Sequence, residues 1–257
     1  MLVTRLAEYA PKYHHVKLER DDLGILVARM HTDGQDLVWG HDPEEEMASL
    51  WEDIARDPEN RVVVLTGSGE TFIDKEGFGG MSVTPETWHR IHFTGRRLVL
   101  SHLDIEVPMI AAINGPATIH SELALLCDIT LASETAVFAD RPHFSNGLVP
   151  GDGIQVIYPL LMGFNRGRYM LLTGQHIPAG EALSLGLVNE VLPAGDLMAR
   201  AMELARGLAV KPDLTLRSTR NLFTQLIRRA FQDNVGYGLM AEGLAAMNYW
   251  PSDDLGD

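Results

Sequence analysis

The sequence predicts an α/β fold: a strand–strand–helix unit recurs with irregular spacing, and a helical tail follows. Three observations carry that prediction. Between residues 16 and 191 short apolar strands alternate with amphipathic helices. The run VVVLTG at 62–67, four consecutive apolar residues and then a threonine, is closed by glycine and reads as a strand buried on both faces. From residue 194 onward strand signals vanish. The expected division is a core over residues 1–193 and a C-terminal helical region over residues 194–257.

Taken in order, alternation over 15–19 and the apolar run 25–30 read as two strands joined by a turn at 21–24. Residues 43–57 read as a helix: Pro43 suits its first turn, acids follow, and Met47, Leu50, Trp51 and Ile54 share a face. After the buried strand, residues 86–103 form a second helix, with Ile91, Leu98 and Leu100 among its apolar positions. Residues 107–113 are a strand that delivers the chain to Asn114-Gly115-Pro116, a turn signal. Residues 121–127 read as helix, and 129–132 and 136–139 as short strands. The tail reads as three helices, 197–208, 213–227 and 231–247.

Composition narrows the function. A chain of 257 residues with 46% hydrophobic content can bury one large core. Its net charge of −14 disfavours nucleic acid, which needs a basic surface. Cys127 is the single cysteine, so no internal disulfide forms and a reducing cytoplasm is the expected location. No apolar run approaches the roughly 20 residues that span a bilayer, so no membrane partner is expected. The N-terminus lacks the charged-then-apolar order of a signal peptide.

Several motifs in fixed order then resemble the crotonase superfamily over nearly the whole chain. They are Val62–Gly67 followed by 69–72, VPMIAAING at 107–115, LALLCD at 123–128, GLVPG at 147–151, and Leu172-Thr173-Gly174 with Ala179, Ala182 and GLVN at 186–189. The resemblance implies a spiral of ββα turns, a trailing helical region, and assembly as a homotrimer or a dimer of trimers. Members acting on acyl-CoA hold a thioester carbonyl with two backbone N–H groups, and the hydratases add two glutamates.

Three departures stand against hydration. The loop that is ordinarily small-residue reads Ile73-Asp74-Lys75-Glu76-Gly77, and Lys75 and Glu76 crowd a backbone that must approach the ligand. The usual glycine cluster is replaced by Thr118-Ile119-His120. Glu122 matches the first hydratase glutamate, but His143, after Pro142, stands in the place of the second.

The replaced positions look like those of the β-diketone hydrolases of that superfamily, the 6-oxocamphor hydrolase group. These enzymes cleave C–C bonds without CoA. The resemblance carries over to His120, His143, Asp152, Trp39 and Glu242 as catalytic residues, and to His41, Phe78 and Glu122 as substrate-binding ones. It implies a small-molecule diketone as partner, with no cofactor and no metal demanded.

The residue types fit that chemistry. Hydrolysing a 1,3-diketone needs an activated water, a carbonyl that accepts hydroxide, and a stabilised enolate as leaving group. Histidine handles water near neutral pH, and a carboxylate beside it fixes its tautomer, so His143 and Asp152 form the expected pair if the loop between them folds back. His120 and the donor-only indole of Trp39 suit the two carbonyl oxygens, and Glu242 can orient a histidine or the water.

Each residue also has a plain structural reading. His120 can be a helix-entry residue, Asp152 a helix cap, Glu242 a solvated acid, and Trp39 a core residue. The alternatives kept open are an enoyl-CoA hydratase or isomerase that retains Glu122, and a non-catalytic binding protein.

Overall fold

The strand–strand–helix recurrence is the organising unit of the computed structural model, which describes residues 3–77 and 82–250. A short helix α1 (Leu6–Tyr9) leads into β1 (Val16–Arg20) and β2 (Ile25–Met30). There follow β3 (Val38–Trp39), α2 (His41–Arg56), β4 (Val62–Gly67), β5 (Lys75–Glu76), α3 (Pro85–Leu103), β6 (Met109–Ile113), α4 (Glu122–Leu125), β7 (Ile129–Ser133) and β8 (Val137–Phe138). The chain continues through α5 (Ile154–Met162), α6 (Phe164–Thr173), β9 (Ile177–Pro178), α7 (Ala179–Leu185), β10 (Glu190–Leu192), α8 (Ala194–Ala209) and α9 (Asp213–Asn248).

The strands form two layers. The larger sheet has the order β1-β2-β4-β6-β7-β10; β1 pairs antiparallel with β2, and all later neighbours are parallel. A second layer is built from short pieces. β3 pairs with β5, Ile73 bridges Ala117, Ala117 bridges Phe138, and β8 pairs with β9. Each turn of the spiral therefore takes one strand from the large sheet, then a short strand or bridge in the second layer, then a helix.

The unbroken apolar run of β4 has a direct explanation. Val63 and Leu65 face the main core, while Val62 and Val64 pack with Ile25, Ile110 and Leu131 under α8. Ala201, Ala205 and Ala209 let that helix sit close to the sheet. Each fully buried Val or Leu contributes about 1.5–3 kcal/mol by removal from water. The turn at Asn114-Gly115 locks the two layers together. A Cβ on Gly115 would lie 1.8 Å from the Glu70 carbonyl oxygen, and the Asn114 side chain accepts from Gly67 N (3.1 Å) and donates to Thr71 O (2.9 Å).

The tail differs from the expectation in one respect. The two helices predicted at 213–227 and 231–247 are one helix of 36 residues, α9. Arg228-Arg229-Ala230 between them are good helix formers, and Arg228 is anchored by Asp104 and the Leu103 carbonyl. Lower in the helix Arg220, 1% exposed, donates to Ile105 O (2.6 Å) and pairs with Asp128. Asp128 also accepts from Met109 N at 2.7 Å, so the end of the LALLCD motif ties helix to sheet.

The upper half of α9 crosses the 151–153 loop with backbone against backbone. A Cβ on Gly238 would lie 2.3 Å from the Gly151 carbonyl oxygen, and one on Gly151 would lie 2.3 Å from that of Gly238. No helix among the described residues is long and apolar enough to cross a membrane.

Candidate active site

Eight side chains converge where the second-layer strands end: Trp39, Glu44, His120, Glu122, Asp140, His143, Asp152 and Glu242. The short strands deliver three of the elements involved. β3 ends on Trp39, held beside Glu76 of β5, with Gly77 N donating to Trp39 O at 2.8 Å. Ala117 leads into Thr118-Ile119-His120, and Thr118 N donates to Ile73 O at 3.0 Å. β8 leads into Asp140-Arg141-Pro142-His143, and Arg141 N donates to Thr118 O at 3.1 Å. Asp152 stands just before α5, Glu44 in the first turn of α2, and Glu242 on α9.

His120 adopts φ +44°, a left-handed conformation unusual for any residue but glycine, and histidine is among those that tolerate it best. That explains why a glycine-rich segment is ordinary at this turn. The imidazole stacks on Trp39 with ring centroids 4.2 Å apart and planes at 34°. Its Nδ1 lies 2.7 Å from Glu122 Oε1 and 3.4 Å from Asp152 Oδ2. Burial by itself would depress the His120 pKa. The Glu122 carboxylate in contact, with Asp152 and Glu44 beyond it, outweighs burial and lifts it to about 9. At neutral pH His120 is thus a cation whose Nδ1–H is held by Glu122.

His143 has a carboxylate on each side. Its Nδ1 donates to Asp140 Oδ1 at 2.6 Å. Its Nε2 faces Glu242 Oε1 at 3.5 Å and Asp152 Oδ2 at 3.8 Å. Burial opposes a charge here too, but Asp140, Asp152 and Glu242 together hold the imidazole pKa well above its ordinary value. The Glu122 and Glu242 carboxyls are pushed up by burial, against the pull of His120 and His143 respectively. Glu44, 6% exposed, is pushed up to about 7 by burial, with Glu242, Asp152 and Glu122 adding to it against His120.

The fold brings together His120, His143, Asp152, Glu242, Trp39 and Glu122 from the sequence expectation. His143 and Asp152 are neighbours, but the group hydrogen-bonded to His143 is Asp140, which the sequence reading missed. Its signal was available: Asp140 lies three residues before His143. Asp152, two residues before α5, accepts from Ile154 N at 3.3 Å through Oδ1, so Oδ2 is the atom that faces both histidines. Glu44 was missed as well, because an acid in a helix's first turn ordinarily faces water.

His41 is not in the cluster. It is partly exposed, 2.6 Å from Arg90 Nη2 and 3.3 Å from Glu45 Oε1. It lines a cavity of about 500 Å³ with Gly40, Gly77, Thr87, Arg90 and Ile91. Phe78 lies outside the described residues.

The arrangement has the parts of a hydrolytic site. Trp39 Nε1 is a buried donor, and Glu122 Oε2, Asp140 Oδ2 and Glu242 Oε2 are buried acceptors, all without a hydrogen-bond partner among the described residues. One base-capable nitrogen, His143 Nε2, faces two carboxylates. His120 Nδ1, Glu122 and Asp152 also offer three atoms within 4.8 Å of one another, a spacing that a metal ion can bridge.

Comparison with known proteins places the chain. The enoyl-CoA hydratase/isomerase family model matches residues 42–237. A short-chain-enoyl-CoA hydratase from Clostridium acetobutylicum is 30% identical over 84% of this chain and 82% of its own length. A carnitinyl-CoA dehydratase from Proteus mirabilis is 30% identical over 92% of this chain and 88% of its own. Among solved structures, a β-diketone hydrolase from the cyanobacterium Anabaena sp. PCC 7120, bound to (S)-3-oxocyclohexyl acetic acid, is 44% identical with a TM-score of 0.92. That match covers 94% of this chain and 97% of the other. An enoyl-CoA hydratase/isomerase from Mycobacterium paratuberculosis is 29% identical with a TM-score of 0.84, covering 91% and 94%.

Proposed function

This chain belongs to the enoyl-CoA hydratase/isomerase family, the crotonases, and within it we propose that it is a cofactor-independent hydrolase cleaving a C–C bond of a cyclic β-diketone. The observation that carries this reading is the coupled pair of histidines. Asp152 Oδ2 lies between His120 Nδ1 (3.4 Å) and His143 Nε2 (3.8 Å), with Asp140 behind one ring and Trp39 stacked on the other. The likeness to the Anabaena β-diketone hydrolase supports it.

In this mechanism Asp140 holds Nδ1–H of His143, leaving Nε2 as the base for a water that Asp152 and Glu242 orient. Hydroxide adds to one carbonyl carbon. The bond from that carbon to the central carbon breaks, and its electron pair spreads into the second carbonyl as an enolate. The His120 cation and the Trp39 indole N–H stabilise that oxygen, donors of this kind being worth roughly 2.7–4 kcal/mol each. A proton returns to the central carbon, and the ring-opened or chain-cleaved keto acid leaves. Because the base must be neutral and its pKa is raised, the rate is expected to climb with pH across and above neutrality.

The test is incubation with bicyclic and monocyclic 1,3-diketones, following keto-acid formation by mass spectrometry. Product from wild type and a large loss in His143→Ala are expected; no product across the panel refutes the reading.

The family and the retained Glu122 favour a second reading, hydration or isomerisation of an enoyl-CoA. A crotonyl-CoA control run alongside decides between them. By the same family resemblance the chain is proposed to assemble as a trimer or a dimer of trimers.

A further inference from the structure

We propose that His120, Glu122 and Asp152 form a site for one divalent ion of the zinc class, and that this ion inhibits the enzyme. Three observations lead there. The first is spacing. Zinc bonds of about 2.0–2.1 Å in tetrahedral geometry set ligand atoms about 3.3–3.4 Å apart. His120 Nδ1 and Asp152 Oδ2 already stand at 3.4 Å. His120 Nδ1 and Glu122 Oε1, hydrogen-bonded at 2.7 Å, need to part by about 0.6 Å. One ligand atom from each of the three residues lies within 4.8 Å of the other two.

The second is that the ligands are held from behind, as metal ligands are. Asp152 Oδ1 accepts from Ile154 N at 3.3 Å, which aims Oδ2 inward. The His120 ring is stacked on Trp39 at 4.2 Å and carried on a left-handed backbone. Glu122 has no exposed surface.

The third is an unmet need. Glu122 Oε2 is buried with no hydrogen-bond partner among the described residues. A cation on Oε1, or shared by both oxygens, stabilises a carboxylate that the fold leaves half-satisfied. One imidazole nitrogen and two carboxylates suit zinc, cobalt or manganese, with an open fourth position; the ion takes the place of the His120 Nδ1 proton, which is released to solvent.

Binding follows from the site as built and does not depend on the diketone reading. Inhibition does rest on it: Asp152 Oδ2 also faces His143 Nε2 at 3.8 Å, and an ion there draws that carboxylate away from the imidazole that handles water.

The experiment is calorimetric titration of Zn²⁺ into chelator-treated, tag-free protein. One ion per chain is expected, with no matching heat from Mg²⁺, which prefers all-oxygen octahedral sites. Asp152→Asn and Glu122→Gln should each lose the stoichiometric heat, while His89→Asn/His92→Asn keeps it. No stoichiometric heat in wild type overturns the proposal, as does equal heat in both site variants. Should either variant melt at the temperature used, Co²⁺ absorption of the wild-type chain replaces it: a visible band displaced by one equivalent of Zn²⁺ is expected, and its absence overturns the site. In the diketone assay, Zn²⁺ should remove activity and EDTA restore it. Stoichiometric binding that leaves the rate unchanged overturns the inhibitory role alone.

Discussion

Replacing Asp140 by asparagine isolates the orienting group of the proposed base. Asp140 Oδ1 and His143 Nδ1 are 2.6 Å apart, and the two side chains are 1% and 7% exposed, so solvent screens the pair little. With charge centres about 4 Å apart and an effective dielectric near 20, the carboxylate stabilises the imidazolium by up to about 4 kcal/mol. Asp152 and Glu242 remain at 3.8 and 3.5 Å on the other nitrogen and make good part of the loss. A net loss of about 2–4 kcal/mol corresponds to a fall of about 30- to 1,000-fold in kcat. An asparagine can also present its carbonyl or its NH2 group, so the tautomer is no longer imposed.

Two readouts follow from steady-state hydrolysis of a cyclic 1,3-diketone over a pH series. kcat should fall by the stated factor with KM little changed. The acid limb of the rate profile should move to lower pH, because one of the charges that raise the His143 pKa is gone. If Asp140→Asn stays within threefold of wild type while Asp152→Asn abolishes turnover, Asp152 is the orienting group and the assignment of Asp140 is refuted.

Glu44 makes a prediction about stability. Its folded pKa of about 7 lies above the unfolded value, so the folded chain keeps a proton that the unfolded chain releases. Stability from this group therefore falls as pH rises from about 4.5 to 7 and levels off above that. Glu44→Gln should raise the unfolding free energy at pH 8 by something on the order of 3 kcal/mol and leave it unchanged near pH 4, as read from urea denaturation curves; destabilisation at pH 8 contradicts this. Gly238→Ala puts a Cβ 2.3 Å from the Gly151 carbonyl oxygen and should push Glu242 away from His143, lowering both Tm and activity. Gly236→Ala, whose Cβ meets nothing nearer than 3.7 Å, should be neutral or stabilising by about 0.5–1 kcal/mol, and circular dichroism melts compare the two. Light scattering is expected to report a trimer or hexamer in solution, and a monomer counts against the assembly drawn from the family.

Some of this was legible in the order of residues. The apolar run of β4, the Asn114-Gly115 turn and the alternation of short strands with helices are local patterns, and local periodicity survives folding unchanged. The residue types at 39, 120, 143, 152 and 242 were also legible, because chemistry at a position needs no coordinates. The single helix α9 was not. A break was expected near 228–230, and it is Asp104 and the Leu103 carbonyl, more than 120 residues earlier in the chain, that anchor Arg228 there.

Local patterning along the chain suffices for the α/β class, the ββα recurrence and the stock of imidazole, indole and carboxylate from which a site can be built. Which carboxylate meets which nitrogen is set by packing alone. Asp140 is 2.6 Å from His143 Nδ1, Asp152 is shared between two histidines at 3.4 and 3.8 Å, and Glu44 is drawn inside while His41 turns outward to Arg90. The reason is physical. Hydrogen bonds and pKa shifts depend on tenths of an ångström and on burial. Both are set by how β3, β8, α2 and α9 pack together, which no spacing within one segment records.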